Sequence, residues 1–414
     1  MKIDDGVKNM KLSLYIAKRL SLKGKKSFSR LIMLLSVVAV SISLAVMILS
    51  MATVTGFQYG IKEKVVGFGG HIEVSKYLSH LNHDYPLLPY NDTLHQELQE
   101  LEGIKIVNKV LTKPGIIKAS EDNSGIIIKG VDSNYNWEYL DKHIIEGRHP
   151  NFSSNGSYNE VLISKHTAKK LKLKLEDKLK VYFIDEKVRA MAPKIVGIYN
   201  TGLEEYDKIF ALGNLGTLQR IFAKKKDHIS HYEVKVNDFN DYQNVQKEVN
   251  KMIPIEFQST NAMDRNPQIF DWLELLDLNV YIVIALMLVV AAFNIITALL
   301  ILVLERVNMV GILKALGETN WNIRNIFVYK LLYINGLGLL FGNVLGIGLA
   351  LLQQKTGLIK LSQETYVVNE VLIKLLPSHI IMVNLGTLLI SFISILLASK
   401  LVTSIQPAQT IKFD

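Results

Sequence analysis

The sequence predicts a membrane α-helical bundle of four transmembrane helices, with a large α+β domain inserted between helices 1 and 2. Four stretches of about 20 or more uncharged, mainly apolar residues support this prediction, because a helix of that length crosses the hydrocarbon core of a bilayer. They run from Leu31 to Ala52, Leu278 to Leu304, Leu331 to Leu352 and Ile380 to Ser399. A polar segment of about 220 residues, long enough for a whole domain, separates the first stretch from the second.

The composition agrees with this architecture. The chain has 414 residues, of which 49% are hydrophobic and 21% are charged, and its mean hydropathy is +0.22. This mixture is typical of an integral membrane protein with a large aqueous domain. The chain contains no cysteine, so the inserted domain must fold on its own core, and the chain is not expected to be a lipoprotein itself. The first stretch is much longer than the apolar h-region of a signal peptide, roughly 7–15 residues, which favours a retained anchor.

The distribution of basic residues predicts the orientation. Two acidic residues, Asp4 and Asp5, precede Leu31, whereas Lys and Arg occupy nine positions there: Lys2, Lys8, Lys11, Lys18, Arg19, Lys23, Lys25, Lys26 and Arg30. Because Lys and Arg beside a span remain cytoplasmic, we expect both termini to be cytoplasmic and the large domain to be periplasmic. The location of these charges beside a span accounts for much of the net charge of +9 and argues against nucleic acid as a partner.

These patterns divide the chain into nine segments. The N-terminal segment, residues 1–30, contains an amphipathic basic pattern from Leu12 to Leu22 that is suited to an anionic membrane surface or, alternatively, is a solvated tail. The predicted segments after it are a helix over 31–56, the periplasmic domain over 57–272, a helix over 273–304, a cytoplasmic segment over 305–325, a helix over 326–353, a periplasmic loop over 354–378, a helix over 379–400 and a cytoplasmic tail over 401–414.

Short β-branched runs alternate with helical patterns in the large domain. This alternation predicts an α+β fold with two possible subdomains. The predicted strands are His71 to Val74, Ile104 to Val110, Gly115 to Ala119, Gly125 to Lys129, Glu160 to Ile163, Lys178 to Phe183, Lys194 to Ile198 and His231 to Val236. The predicted helices are Thr93 to Leu101, Lys165 to Leu171, Leu212 to Phe222 and Phe239 to Met252.

Motifs of enzyme chemistry are missing from the sequence. It contains no G-x-x-x-x-G-K-[ST], no G-x-S-x-G and no H-E-x-x-H, so nucleotide hydrolysis by a P-loop and two common hydrolase mechanisms are excluded. His80, His83 and Asp84 have a loosely metal-like spacing, but they lie in a loop rich in turn formers and are interpreted as solvated side chains. We therefore expect a non-catalytic chain that has no metal site.

The segment from Glu305 to Gly317 is the most informative cytoplasmic stretch. Apolar residues recur at helical spacing, and Gly317 is a suitable residue for ending a helix. The segment is either a plain connector or a short helix that docks onto a partner, and its apolar character favours docking. The expected docking residues are Glu305, Arg306, Val310, Gly311, Leu313, Lys314 and Gly317.

Two features of the spans indicate helix packing. Gly338, Gly342 and Gly346 form a repeated small-xxx-small stripe that permits close approach of another helix. Asn294 lies in mid-membrane, where a hydrogen bond to another helix is the expected role and a polar gate is the alternative.

Several segments resemble a known family. Ala291 to Thr297, followed by Leu304-Glu-Arg and Val310-Gly-Ile-Leu-Lys-Ala-Leu-Gly317, looks like the FtsX/MacB-type permease domain of ABC transporters, and especially the lipoprotein-releasing permeases LolC and LolE. Further similar stretches lie along the whole chain: Gly56-Phe-Gln58, Gly70 to Val74, Ile195 to Ile198, Thr201-Gly-Leu203, Glu205-Tyr-Asp207, Tyr366-Val-Val368, Leu372-Ile-Lys374 and Gln406-Pro-Ala408. Tyr199 stands where that family usually has Phe, and Leu175-Glu-Asp177 stands where it has Val-Gly-Asp.

The resemblance implies a permease subunit of the bacterial inner membrane that extracts lipoproteins and releases them to a periplasmic LolA-like carrier. It also implies a second permease copy or paralogue and a LolD-like ATPase subunit that binds ATP and Mg²⁺, so no cofactor is expected in this chain. The segment from Glu305 to Gly317 would then be the coupling helix. Apolar residues at the outer ends of the first two spans would line a cavity for acyl chains: Met47, Met51, Val54, Phe57, Leu273, Leu276 and Val280.

Two alternatives remain open at this point. A related mechanotransmission permease of the MacB type would export peptides or drugs, and it differs mainly in its substrate. A signalling scaffold of the FtsX type would transport nothing, and the large inserted domain argues against it.

Overall fold

The computed structural model describes residues 28–77, 86–118, 123–152, 159–184, 187–222, 227–361, 368 and 370–399. The predicted amphipathic segment from Leu12 to Leu22, the histidine-containing loop, Tyr366-Val and the C-terminal tail lie outside these ranges. The chain divides into two compact units. We call Met1–Gln58, Leu273–Lys360 and Glu370–Asp414 the membrane unit, and Tyr59–Trp272 with Leu361–Asn369 the extramembrane domain.

Four long helices have the length and hydropathy required to cross a membrane, as the sequence predicts. They are α1 (Phe28–Gly69), α9 (Pro267–Glu305), α11 (Asn320–Thr356) and α12 (Pro377–Ser399), and a short helix, α10 (Val307–Ala315), connects the second to the third. The first helix has 42 residues and is therefore about 63 Å long. This length is about twice the thickness of a hydrocarbon core, so α1 continues well beyond the span that its apolar residues define.

The glycine stripe of α11 packs against α1. A Cβ atom on Gly338 would lie 2.7 Å from a side-chain atom of Val40, and one on Gly342 would lie 2.9 Å from Cβ of Leu44. The Ser41 hydroxyl donates a hydrogen bond of 3.0 Å to the carbonyl oxygen of Gly338. Such close approach strengthens dispersion between helices that gain little from the hydrophobic effect in lipid.

Polar side chains join α11 to α12. The side-chain amides of Asn343 and Asn384 donate hydrogen bonds to each other, at 2.7 and 2.9 Å. The Ser391 hydroxyl donates to the side-chain oxygen Oδ1 of Asn335 at 3.2 Å. Hydrogen bonds of this kind stabilise transmembrane helix pairs modestly, and they fix the register of the two helices.

The extramembrane domain is an α+β fold. Its helices are α2 (Asp92–Glu100), α3 (Glu138–Asp141), α4 (Lys165–Leu171), α5 (Glu204–Ile209), α6 (Leu215–Phe222), α7 (Tyr242–Met252) and α8 (Ala262–Arg265). Its strands are β1 (Ile72–Lys76), β2 (Leu88–Pro89), β3 (Ile104–Lys118), β4 (Asn123–Val131), β5 (Ile144–Gly147), β6 (Glu160–Ser164), β7 (Val181–Ile184), β8 (Val188–Met191), β9 (Lys194–Tyr199), β10 (Phe210–Asn214), β11 (His228–Ile229), β12 (His231–Val236) and β13 (Phe257–Asn261).

The long strand β3 belongs to both halves of the domain. Its first half pairs with β12 in the order β13-β1-β12-β3, and its second half pairs with β4 in the order β3-β4-β10-β6-β9-β5. One apolar core gathers Ile72, Val74, Tyr232 and Val234 beneath α2 and α7. A second core gathers residues of β4, β6 and β9 beneath α4 and α6. The two cores correspond to the two possible subdomains.

Two predicted boundaries are wrong. Where the sequence predicts two strands, Ile104 to Val110 and Gly115 to Ala119, the structure has one continuous strand over Ile104–Lys118, because Leu111 to Pro114 pair with β4 without interruption. The predicted helix Leu212 to Phe222 begins as strand β10, which pairs with β4 and β6, and becomes helical only at Leu215. Pairing on both edges overrides the helical pattern there.

The packing of the glycine stripe against α1 can be tested with two matched variants. Gly338→Leu places a side chain against Val40 and should destabilise the bundle by about 1–3 kcal/mol through overpacking. Gly336 lies on the same helix, and a Cβ atom at this position meets nothing within 4 Å. Gly336→Leu should therefore leave stability nearly unchanged. The measurement is the thermal stability of the purified full chain in detergent, followed by size-exclusion chromatography after heating. Equal losses in the two variants would contradict the packing described here.

Candidate functional site

The connector α10 ends as the sequence predicts. Gly317 has a φ of +85°, its amide donates to the Lys314 carbonyl at 3.0 Å, and the Glu318 amide donates to the Leu313 carbonyl at 2.9 Å. These bonds satisfy the last carbonyls of the helix, and the left-handed conformation favours glycine.

The residues of the connector that are expected to dock differ in their exposure. Val310 and Gly311 are buried, and Val310 packs in one cluster with Leu302, Ile323 and Phe327 while Leu313 packs against it. The exposed stripe consists of Asn308, Ile312 and Leu316, which recur every four residues and therefore share one side of the helix. Glu305 and Gly317 are exposed, and Arg306 and Lys314 are half-buried. Val310 and Gly311 thus hold the connector against the bundle, and the exposed stripe is the surface open to a partner.

The seven residues expected to line an acyl-chain cavity are not equally accessible. Met47, Leu273 and Val280 are buried, and Met47 packs with Leu44, Ile48 and Val383 inside the membrane unit. Met51, Val54, Phe57 and Leu276 are half-buried. Met51 lines a cavity of about 10 Å³ together with Lys374 and His379, which has room for roughly one water molecule. This cavity does not hold an acyl chain.

The interhelical hydrogen bond expected of Asn294 is not formed within the described part of the chain. Asn294 is half-buried, and the interhelical amide bonds are made instead by Asn343 and Asn384. The sequence signal for these two residues is the same as for Asn294, a single amide within an apolar stretch, so sequence alone does not distinguish them.

A buried ionic cluster surrounds the end of α1, and sequence reasoning missed it. We call Lys129, Lys235, Arg265, Glu73 and Glu233 the helix-end clamp. Three strands of one sheet supply four of them: Glu73 lies on β1, Lys129 on β4, and Glu233 and Lys235 on β12. Alternate residues of β1 and β12 face the apolar core, so these polar side chains all occupy the opposite side of their strands. An alternating polar face normally predicts solvent exposure, whereas here it is buried.

The three cations of the clamp cap the terminal carbonyl groups of α1. Lys129 Nζ donates to the Phe68 oxygen at 2.5 Å, Lys235 Nζ donates to the Gly67 oxygen at 3.0 Å, and Arg265 Nη2 donates to the Gly69 and Gly70 oxygens at 2.9 and 2.8 Å. The last carbonyls of a helix lack intrahelical donors and carry the negative end of its dipole. The cations therefore satisfy both the hydrogen bonding and the charge of this end.

Two carboxylates balance these cations. Glu233 Oε1 lies 2.6 Å from Lys129 Nζ, and Glu73 Oε2 lies 3.2 Å from Arg265 Nη1. Burial alone would raise the pKa of Glu233, but Lys129 and His231 outweigh it and lower the pKa to about 2. Burial lowers the pKa of Lys235 to about 8 and also lowers the pKa of Lys129, against the attraction of Glu233. Because the Glu233 carboxylate is ionised at neutral pH and contacts Lys129 directly, we assign a charged pair.

Taken together, the four spans, the short connector α10 and the α+β domain inserted after the first span define a multi-pass membrane protein of the permease class. Residues 33–252 match the family described as the MacB-like periplasmic core domain, and residues 281–407 match the FtsX-like permease C-terminal family. The chain belongs to the family of proteins that carry the MacB-like periplasmic core domain.

Similar curated proteins extend over the full length of the chain. The lipoprotein-releasing system transmembrane protein LolE of Haemophilus influenzae is 23% identical, over 94% of this chain and 96% of the relative. The corresponding protein LolC of Buchnera aphidicola subsp. Schizaphis graminum is 23% identical over 91% and 90%, and LolC of Xylella fastidiosa strain 9a5c is 20% identical over 95% and 96%.

Solved structures are similar to about half of the chain. The extracellular domain of the noncanonic ABC-type transporter YknZ from Gram-positive bacteria is 17% identical, with 46% of this chain and all of that chain covered and a TM-score of 0.32. The periplasmic region of MacB from Actinobacillus actinomycetemcomitans is 11% identical, with 49% and 95% covered and a TM-score of 0.33.

The helix-end clamp predicts a specific stability effect. Lys129→Met leaves the buried Glu233 carboxylate without its main counter-charge and should lower the free energy of unfolding of the extramembrane domain by about 3–5 kcal/mol. Removing both partners, as in Lys129→Met with Glu233→Met, should recover most of that loss. The measurement is pulse proteolysis of the full chain in nanodiscs at increasing urea concentration.

The matched control is Lys105→Met, which removes an exposed ion pair with Glu138 and should change stability by less than about 1 kcal/mol. Since the folded-state pKa of Glu233 is depressed, its stabilising contribution is present above about pH 4.5 and is lost as the pH falls towards 2. Wild type should lose more stability over this interval than the double variant. Equal effects of Lys129→Met and Lys105→Met would contradict the clamp.

Proposed function

We propose that the chain is the permease subunit of an ABC transporter that extracts lipoproteins from the inner membrane and releases them to a periplasmic carrier. The observation that supports this most is the end-to-end similarity to proteins of the lipoprotein-releasing system, which covers more than nine-tenths of both chains. Both domain families occur in the order that this architecture requires, with the MacB-like region before the FtsX-like region. A match to the inserted domain alone would not favour this function over the export of peptides or drugs.

In this proposal the energy comes from a separate ATPase subunit that carries ATP and Mg²⁺, because this chain has no nucleotide-binding motif. The docking element is α10, and its exposed stripe of Asn308, Ile312 and Leu316 is the contact surface. Exposure of the two apolar residues of this stripe to water is unfavourable in free energy unless a partner covers them. Ile312 and Leu316 are 55% and 79% exposed, which agrees with a missing partner.

The proposed location is the bacterial inner membrane, with both termini in the cytoplasm and the extramembrane domain in the periplasm. The excess of Lys and Arg before the first span supports this orientation. The same orientation places α10 on the cytoplasmic side, where an ATPase can reach it, and places the MacB-like domain on the side of the carrier.

The acyl chains of the substrate need an apolar shelter, and within this chain alone the cavity beside Met51 is too small to provide it. Moving an acyl chain into water costs about 0.8 kcal/mol for each CH₂ group. The second span exposes an apolar stripe of Leu278, Ile282, Leu286, Val289 and Phe293, with the spacing of one helix face. We propose that this stripe and the half-buried residues Met51, Val54, Phe57 and Leu276 contribute to a cavity shared with a second permease copy or paralogue.

The docking assignment is tested at the exposed stripe of α10. Leu316→Asp should weaken association with the ATPase by about 2 kcal/mol or more, because it places a charge within an apolar contact. Ile255→Asp is the matched control, since Ile255 is 99% exposed and belongs to the extramembrane domain. Co-purification with the ATPase and substrate-stimulated ATP hydrolysis are measured for both variants. If Leu316→Asp retains both properties, α10 does not dock through this stripe.

The transport assignment is tested by reconstitution. The chain, its partner permease and the ATPase are placed in liposomes with a triacylated lipoprotein, and ATP-dependent transfer to the soluble carrier is measured. Met51→Asn should slow transfer several-fold, because an amide in the acyl-chain path lacks a hydrogen-bond partner. Met382→Asn, at an exposed site on α12, should not slow it. If wild type transfers no lipoprotein but exports a peptide or drug, the export function is correct.

A further inference from the structure

The extramembrane domain contains an open groove that the proposed function does not use. Its volume is about 1040 Å³, and its lining is mainly apolar. The floor is formed by β3 and β4, including Gly115 and Ile126, and one wall is formed by α4 and α5. Among the described residues that line it, none is acidic.

One edge of β4 is open in this groove. Residues Asn123 to Gly130 pair with β3 on one side. On the other side β10 pairs only with Ile127 to Val131, so within the described residues no strand covers the outer edge from Asn123 to Ile126. An uncovered strand edge presents backbone N–H and C=O groups that can pair with an added strand.

The wall opposite this edge is basic. Lys169, Lys170 and Lys208 line the groove together with His166. Lys170 Nζ donates to the Ser124 hydroxyl at 3.2 Å, which places its ammonium group directly beside the open edge. Lys208 pairs with Glu204, whereas Lys169 and Lys170 form no ion pair with any described residue. The charge of the wall is therefore only partly neutralised.

We propose that this groove binds an extended acidic segment of a partner protein, which adds a strand to the open edge of β4. Main-chain hydrogen bonds to Asn123 through Ile126 provide the affinity, and acidic side chains that point to the wall contact Lys169 and Lys170. Alternation of acidic and apolar residues, the natural period of a strand, places every acidic side chain on the face of the added strand that meets the lysines.

An anionic lipid shares the charge and the apolar character of such a peptide, but it lacks the regularly spaced backbone N–H and C=O groups that pair with a strand edge. The open edge therefore favours a peptide. This inference does not depend on lipoprotein release, and it is tested by binding alone.

The probe is a fluorescent peptide of about ten residues, a common strand length, with alternating Glu and Val. Its binding to the full chain in phosphatidylcholine nanodiscs is measured by fluorescence anisotropy. Lys169→Glu with Lys170→Glu should weaken binding by about tenfold or more through like-charge contact. Lys247→Glu with Lys251→Glu changes the net charge equally on α7, outside the groove, and should have little effect. Gly125→Leu should also weaken binding, because a Cβ atom there meets nothing within 4 Å and the side chain would occupy the groove.

Two N-methylated versions of the peptide separate strand pairing from simple charge attraction. Methylation of every second amide blocks one edge of the peptide and leaves its charge unchanged. One methylated series should lose binding and the complementary series should retain it. The proposal is overturned if wild type does not bind the peptide, if both series bind equally, if the α7 control loses as much affinity as the groove variant, or if dihexanoyl phosphatidylglycerol alone occupies the groove.

Discussion

The fold of the extramembrane domain depends on how the first helix ends. The first helix has 42 residues, and its last carbonyl groups, which carry the negative end of the helix dipole, are buried against the sheet. Water cannot provide the hydrogen bonds that these carbonyl groups need there. Lys129, Lys235 and Arg265 donate to these carbonyls, and Glu73 and Glu233 neutralise the cations. Because β1, β4 and β12 all supply members, the clamp fixes the register of strands from both halves of the domain against one helix end. A single apolar residue in place of one member would leave a buried charge uncompensated.

The membrane unit meets the opposite requirement, because lipid gives packed helices little hydrophobic advantage. Shape complementarity and hydrogen bonds determine how its helices pair. The glycine stripe of α11 leaves room for Val40, Leu44 and Ile48 of α1. The side-chain amides of Asn343 and Asn384 join α11 to α12. Helix α1 thus takes part in two kinds of packing along its length. Its apolar half contacts glycines, and its far end accepts hydrogen bonds from cations.

The sequence predicts the features that follow from the periodicity of apolar residues, and it misses the contacts between residues that are distant in the chain. The four spans, the inserted α+β domain, the end of α10 at Gly317 and most strands follow from hydropathy and turn chemistry. The helix-end clamp does not, because Glu73, Glu233 and Lys235 alternate with apolar residues as a solvent-exposed strand face would. The connector shows a similar limit. Its apolar residues predict contact, but only the structure separates Val310 and Gly311, which face the bundle, from Ile312 and Leu316, which face outwards. Asn294 illustrates the same point, because burial and the geometry of the neighbouring helix decide which asparagine forms an interhelical hydrogen bond.

Within the part of the chain that the structure describes, three surfaces are left uncovered, and each has chemistry that selects a different partner. The stripe of Ile312 and Leu316 on α10 is apolar and short, which suits a complementary pocket on a protein. The stripe of Leu278, Ile282 and Phe293 on α9 is apolar and long, and in a bilayer lipid covers it at no cost, so only a helix with close shape complementarity would displace the lipid. The groove beside β4 offers backbone hydrogen bonds and cations, which neither lipid tails nor an apolar pocket can satisfy. A permease that must exchange an amphiphilic cargo between a membrane and water needs surfaces of all three kinds, because an acyl chain, a polar polypeptide and a driving subunit differ in the interactions they offer.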